Sequence, residues 1–236
     1  MRKPAVSIHV FVALCDNDSQ GIVPVPKALG NGEDAASNLY WGALYGTKTF
    51  LQKSADWQLV ASEKNVSSDV LERVVFRHKR ADAYLVADAW RGARIKAAIE
   101  GFFTAASGGG GQTIAIGEDK VCIGGQAALV VYVGHNGLMN FSVGQTARAE
   151  GSRANDAIVL ACKSKPYFGP RLAEMGCRPV LLTTGFMAPE AYTLEAAAAG
   201  WLARESGPAI RERAAQAYSR YQKCGLEAAR RLFSTE

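Results

Sequence analysis

The sequence predicts an α/β fold, a three-layer sandwich with a mostly parallel sheet, formed by a single domain over residues 1–236. Short apolar runs rich in β-branched residues recur along the chain, which is typical of buried strands. Segments with helical spacing of apolar residues alternate with these runs, and this order favours parallel strands with helices on both faces. The 48% apolar and 21% charged content is that of an ordinary globular protein.

The first half of the chain alternates polar loops with well-marked elements. Apolar residues alternate over the first strand, and Asp34 or Ser37 is placed to cap the first helix. Residues at helical spacing define the second helix. The predicted elements are a strand at 5–14, a helix at 35–52, strands at 57–62, 70–80 and 84–88, and a helix at 91–106.

The second half repeats the same order with stronger strands. Pro189 stands at a plausible first turn of an Ala-rich helix, and the last segment is amphipathic and basic. The predicted elements are strands at 128–134, 157–162 and 179–183, a helix at 189–203 and a long helix at 208–233.

Two of these strands stop on reactive side chains. One apolar run reaches Gly134 and His135, and the next ends on Ala161 and Cys162. Chemistry in open α/β sheets takes place at the carboxyl ends of strands. Twenty-six residues separate the two side chains, which is enough for a parallel crossover between neighbouring strands. We therefore predict His135 and Cys162 as a catalytic pair, because a thiol beside an imidazole is a basic arrangement for nucleophilic catalysis.

The expected chemistry follows from these two groups. The thiolate is the reactive form of cysteine, and a cationic neighbour favours it. His135 would stabilise the thiolate or take its proton, and later protonate a leaving amine. The backbone N–H groups of Gly137 and Cys162 are the predicted oxyanion donors.

The two strand ends resemble those of the caspase-like cysteine peptidases, a group that includes caspases, metacaspases, legumain, clostripain and gingipains. The resemblance covers residues 125–203, and Met175–Leu182 looks like the next helix end and strand of that fold. It implies that His135 and Cys162 form the dyad and that Gly137 lines the oxyanion site. The chain differs from the family in that Asn136, not glycine, follows the histidine, and the interval to the cysteine is shorter.

Polar residues near the expected cleft are candidates for substrate binding. Carboxylates there would favour Arg or Lys before the cleaved bond by charge pairing. The alternative is that the aspartates cap turns, as they often do at strand ends. The candidate substrate-binding residues are Asp16, Asn17, Asp18, Asp88, Asn136 and Ser164.

The sequence thus predicts a cysteine-dependent hydrolase, an endopeptidase that acts on a peptide or protein through an acyl-enzyme. One alternative is a catalytically inactive caspase-like binding domain. Another is a flavodoxin-like small-molecule binder without thiol chemistry. No metal or cofactor is expected, and the oligomeric state is left open.

Charge and cysteine usage bear on partners and compartment. The net charge is +5, but the basic residues are scattered and the cluster at 77–80 is short, so no nucleic-acid partner is expected. The five cysteines form no CxxC pair, which favours a reducing, cytoplasmic location. Export is the alternative if residues 1–14 act as a signal. No membrane association is expected, since no segment is long and apolar enough to span a bilayer.

Overall fold

The computed structural model describes residues 5–148, 150–151 and 155–235, and it is built on ten strands and six helices within those ranges. The strands are β1 Val6–Ala13, β2 Trp57–Lys64, β3 Val70–His78, β4 Ala83–Trp90, β5 Gln112–Ile116, β6 Asp119–Ile123, β7 Leu129–Val133, β8 Asp156–Leu160, β9 Arg178–Thr183 and β10 Phe233–Ser234. The helices are α1 Thr47–Gln52, α2 Ile95–Ala106, α3 Ser164–Glu174, α4 Ala191–Leu202, α5 Gly207–Gln222 and α6 Leu226–Leu232. Short 3₁₀ turns cover Gly92–Arg94, Gly124–Gln126 and Gly137–Met139.

Eight of the strands form one sheet in the order β10-β9-β8-β7-β1-β4-β3-β2. The central strands β4, β1, β7, β8 and β9 run parallel to one another. Antiparallel strands lie at both edges, where β3 and β2 follow β4 and the short β10 pairs with β9. Strands β5 and β6 form a separate hairpin. The predicted α/β fold with a mostly parallel sheet is confirmed.

Helices cover both faces of the sheet and form the outer layers. Alternate residues of β1 point to opposite faces, so Val10 and Val12 join one core while Phe11 joins the other. The first core is closed by residues of α1, α4, α5 and α6, and the second by residues of α2 and α3. The carboxyl ends of β1, β7 and β8 emerge between these two layers at one edge.

The predicted helix at 35–52 is wrong over most of its length. Only Thr47–Gln52 is helical, and turns precede it. The buried side chain of Asn38 accepts the Cys15 N–H (3.0 Å) and donates to the Cys15 carbonyl (2.8 Å). An asparagine that bonds the backbone in this way competes with helical hydrogen bonds. The segment is thereby fixed to the end of β1 as a series of turns.

The predicted long helix at 208–233 is two helices, α5 and α6. The break follows Lys223, which adopts a left-handed conformation at the end of α5 (φ +55°), and Gly225 has φ +82°. Left-handed residues of this kind commonly end helices. The chain therefore turns, and β10 pairs with β9 to form the edge of the sheet.

Candidate active site

His135 stands two residues beyond the end of β7, after a glycine that the close packing of the backbone requires. Gly134 has φ +151°, and a Cβ at this position would lie 2.9 Å from the Ala13 carbonyl oxygen. The Gly134 N–H donates to the Leu160 carbonyl at 3.2 Å. The Tyr132 hydroxyl donates to the His135 carbonyl at 2.8 Å. The start of this loop is thus held by both β7 and β8.

Cys162 stands two residues beyond the end of β8 and is partly exposed. Its Sγ accepts the Met187 N–H at 3.4 Å and donates to the Met187 carbonyl at 3.5 Å. The next residue, Lys163, is left-handed (φ +49°), and its N–H donates to the Gly185 carbonyl at 2.7 Å. The segment after β9 therefore packs against the thiol, and one of its N–H groups points at the sulfur.

The two loops lie side by side because their strands are neighbours in register. β7 pairs with β8 in parallel, with Val133 opposite Leu160. Asn136, a predicted substrate contact, is fully buried and donates from Nδ2 to the Cys162 carbonyl at 2.7 Å. The structure uses the Asn136 side chain to bind the loop that carries His135 to the loop that carries Cys162.

The His135 ring has a polar partner that the sequence did not indicate. Its Nε2 lies 2.9 Å from the amide nitrogen Nδ2 of Asn140, and that nitrogen also donates to the Gln20 carbonyl at 3.3 Å. Burial lowers the pKa of His135, which favours the neutral imidazole. Asn140 lies five residues after His135 in an irregular loop, and no sequence periodicity links the two.

A buried tyrosine, Tyr40, lies near the candidate nucleophile, and a second thiol, Cys15, is hydrogen-bonded to that tyrosine. Burial raises the pKa of Tyr40 well above its ordinary range, and the nearby Cys15, Cys162 and Tyr132 add to this rise. Burial also raises the pKa of Cys15 to about 11, although its hydrogen bond with Tyr40 acts in the opposite direction. Cys15 is therefore a protonated thiol at neutral pH.

The predicted oxyanion donor Gly137 is already engaged within its own turn. Its N–H donates to the His135 carbonyl at 3.1 Å. The residue is buried, and a Cβ here would overlap the Phe141 ring and lie 3.1 Å from Cδ1 of Ile99. Glycine is thus required here for packing. Its N–H stabilises the turn after His135 and is not available as the predicted oxyanion donor.

The loop after β1 uses its polar side chains to hold its own shape. Asp16 is buried, accepts the Asp18 N–H at 2.9 Å and packs against Gly32 and Gly92. Asn17 donates to the Val25 carbonyl at 2.8 Å and accepts the Val25 N–H at 3.0 Å. Asp18 is exposed.

Asp88 and Ser164 are buried inside the molecule. Asp88, which is 2% exposed, accepts two hydrogen bonds from Arg73, at 2.6 and 2.7 Å, and lies 3.1 Å from Nε2 of His9. The Ser164 hydroxyl donates to the Val159 carbonyl at 3.0 Å, and its oxygen accepts the Thr183 N–H at 2.8 Å. The contacts of both residues are with these structural partners rather than with the candidate dyad.

A cavity of about 370 Å³ lies between the loop after His135 and helix α3, and neither His135 nor Cys162 is among its lining residues. Leu138 and Phe141 of the loop after His135 line one side, and Pro166 and Tyr167 of α3 line the other. Among the described residues, no cluster of three or more His, Cys, Asp or Glu side chains is arranged to hold a metal ion. No helix within the described ranges is both long and apolar enough to cross a membrane.

The fold and the site together define an α/β protein with a histidine and a cysteine at adjacent strand ends of a mostly parallel sheet. Comparisons with protein-family models, with curated proteins and with solved structures found no match for this chain.

Proposed function

We propose that this chain is a cysteine-dependent hydrolase, an endopeptidase of caspase-like fold that uses His135 and Cys162 as its catalytic dyad. The observation that carries the proposal is the juxtaposition of the two strand ends. β7 and β8 are paired in parallel, each reactive residue lies two positions beyond its strand, and Asn136 joins the two loops. Such an edge is where α/β folds carry out chemistry.

The reaction proceeds through a thioester. The Cys162 sulfur attacks the substrate carbonyl carbon while His135 takes the thiol proton. The C–N bond then breaks, and His135 delivers that proton to the leaving amine. Water next attacks the thioester carbon while His135 takes one of its protons and passes it to the leaving sulfur; the acid product then loses its remaining proton to solvent as the carboxylate. The Met187 N–H, 3.4 Å from Sγ, stabilises negative charge on the thiolate.

The oxyanion donors in this proposal differ from the sequence prediction at one position. The Gly137 N–H is bonded to the His135 carbonyl. In the part of the chain that the structure describes, no backbone carbonyl accepts the N–H of Asn136 or of Cys162. We therefore assign the oxyanion site to these two N–H groups, one from each loop.

The substrate is a polypeptide with a basic residue before the cleaved bond, because the loop after β1 carries the exposed carboxylate of Asp18. Rates of hydrolysis on peptides that differ only at this residue test the assignment. Arg and Lys peptides are expected to be cleaved faster than Asp and Asn peptides. The reverse order would contradict basic specificity while leaving the dyad intact.

The decisive experiment is alkylation of each cysteine by iodoacetamide as a function of pH, followed by mass spectrometry of the peptides. We expect Cys162 to react fastest, and His135→Ala to slow it by about tenfold or more near neutral pH. Cys224 is an exposed free cysteine, and its rate in the same sample is the internal control. Peptide hydrolysis should disappear in Cys162→Ala and persist in Cys224→Ala.

If Cys162 is alkylated slowly, and at the same rate in the wild type and in His135→Ala, the dyad is rejected. The catalytically inactive binding domain would then be the better description. Thermal stabilisation by flavin or nucleotides would instead indicate the small-molecule binder, since a ligand of the folded state raises its stability.

A further inference from the structure

We propose that Asn140 is a positioning residue that sets the tautomer of His135, holding the resting ring neutral with its proton on Nδ1. The contact itself stands on geometry alone, whereas its effect on catalysis rests on the proposed dyad. The amide nitrogen Nδ2 lies 2.9 Å from Nε2 of His135 and 3.3 Å from the carbonyl oxygen of Gln20.

The orientation of the Asn140 amide follows from its second partner. A backbone carbonyl oxygen can only accept, so the NH₂ group, and not Oδ1, must face Gln20. The same nitrogen has a second proton, which points to His135. Nε2 must then act as the acceptor, and the proton of the neutral ring lies on Nδ1.

Gln20 is held firmly enough to fix this arrangement. Its side chain is buried and donates to the Leu14 carbonyl at 2.8 Å and to the Gly92 carbonyl at 3.0 Å. Its Oε1 accepts the Asp16 N–H at 3.2 Å. The carbonyl that orients Asn140 therefore belongs to a residue anchored at the ends of β1 and β4.

The contact fixes what the ring can do in the proposed dyad. With Asn140 bonded to Nε2 and the proton on Nδ1, the neutral ring can donate from Nδ1 and so favour a thiolate. It takes the thiol proton only at Nε2, once Asn140 has released that nitrogen.

The surrounding titratable groups leave Asn140 as the dominant polar influence on the ring. Burial lowers the pKa of His135 with no contribution from a charged neighbour among the described residues. The loop carrying Gln20 has Asp16 and the exposed Asp18, and the loop after β8 has Cys162 and Lys163, whose Nζ lies over the Phe186 ring. On β7 the Tyr132 hydroxyl is turned to the His135 carbonyl.

The test is NMR of the full chain with ¹⁵N-labelled histidine, which is tractable because the chain has three histidines. His135→Gln assigns the His135 signals. The wild type is expected to show the Nδ1–H tautomer. Asn140→Asp offers only acceptors, so it should shift the ring to the Nε2–H form and raise the His135 pKa by about one unit or more.

Asn65→Asp is the matched control, since it adds the same charge at an exposed turn. It should leave the His135 tautomer unchanged. Asn140→Ala removes the donor without adding charge and should give a mixture of tautomers, which keeps the test valid if the aspartate variant folds poorly.

An Nε2–H tautomer in the wild type, or an unchanged ring in both Asn140 variants, would overturn the proposal. Cys162 alkylation in the same variants separates it from the dyad. Suppose that the His135 tautomer changes in the Asn140 variants but the rate of Cys162 alkylation does not depend on His135. The positioning role of Asn140 would then stand, and the proposed peptidase activity would be rejected.

Discussion

Two histidines of this chain differ in how many of their ring nitrogens have a hydrogen-bond partner among the residues that the structure describes. His9 is buried on β1, where Nε2 lies 3.1 Å from the Asp88 carboxylate and Nδ1 accepts the Gly124 N–H at 3.0 Å. His135 lies beyond a strand end and has one ring nitrogen bound to Asn140. A buried histidine with both ring nitrogens hydrogen-bonded supports the fold. A histidine at a strand end with one ring nitrogen bonded within the described residues can use the other nitrogen in chemistry.

The network around His9 is closed by a charge pair. Arg73 donates from Nε to Oδ1 and from Nη2 to Oδ2 of Asp88, which also contacts His9. Such a pair is costly to break, because loss of one partner leaves the other charge buried and uncompensated. Substitutions in this charge pair are therefore the strongest test of the claim that the His9 network stabilises the fold.

Asp88→Asn is expected to lower the free energy of unfolding by about 3–5 kcal/mol, because it leaves the Arg73 charge unpaired. Denaturant unfolding measures this loss. Asp69→Asn is the control, since its pair with Arg94 is largely exposed and should cost no more than about 1 kcal/mol. Iodoacetamide labelling of Cys162 in folded Asp88→Asn should match the wild type. A change in that rate would show that the His9 network affects the reactivity of Cys162, and the two regions would then not be independent.

From the sequence, the ends of the strands could be predicted better than the partners of side chains on the faces of the sheet. Runs of β-branched residues locate β7 and β8, and parallel pairing then brings His135 and Cys162 to one edge. Asp88 lies in an apolar strand, and its partner is decided by the register that sets Arg73 opposite it. That register, like the contact from Asn140 to His135, depends on the folded chain and leaves no local pattern.

Acid should weaken the His9 network in a defined range. Burial opposes ionisation of Asp88, but the hydrogen bonds from Arg73 and His9 outweigh it and hold the pKa at about 2. A carboxyl with a depressed pKa stabilises the fold above its unfolded value, and this contribution is lost as pH falls from about 4 to about 2. The loss is about 2 kcal/mol, and unfolding free energies measured over this range should fall less steeply in Asp88→Asn. Parallel pH slopes for the two proteins would contradict the assignment.

Gly137→Ala tests the turn that holds His135. The new Cβ would overlap Phe141, a half-buried ring that can shift in part, so we expect a loss of about 1–2 kcal/mol in unfolding free energy and slower labelling of Cys162. Gly144→Ala is the matched control in the same loop, because a Cβ there meets no atom within 4 Å. Equal effects of the two substitutions would remove packing as the reason for the glycine.

The smallest change in stability is expected at His135 itself. His135→Ala removes a half-buried ring with one hydrogen bond, so unfolding should change by less than about 1 kcal/mol while Cys162 loses its fast alkylation. His9→Ala should show the opposite pattern, since it leaves the Gly124 N–H and the Asp88 carboxylate short of a partner and costs about 1–3 kcal/mol without altering Cys162. Denaturant unfolding and cysteine labelling on the same two variants measure both effects. If His135→Ala lowered the free energy of unfolding more than His9→Ala, His135 would be a structural residue. The catalytic role assigned to its ring would then have no support.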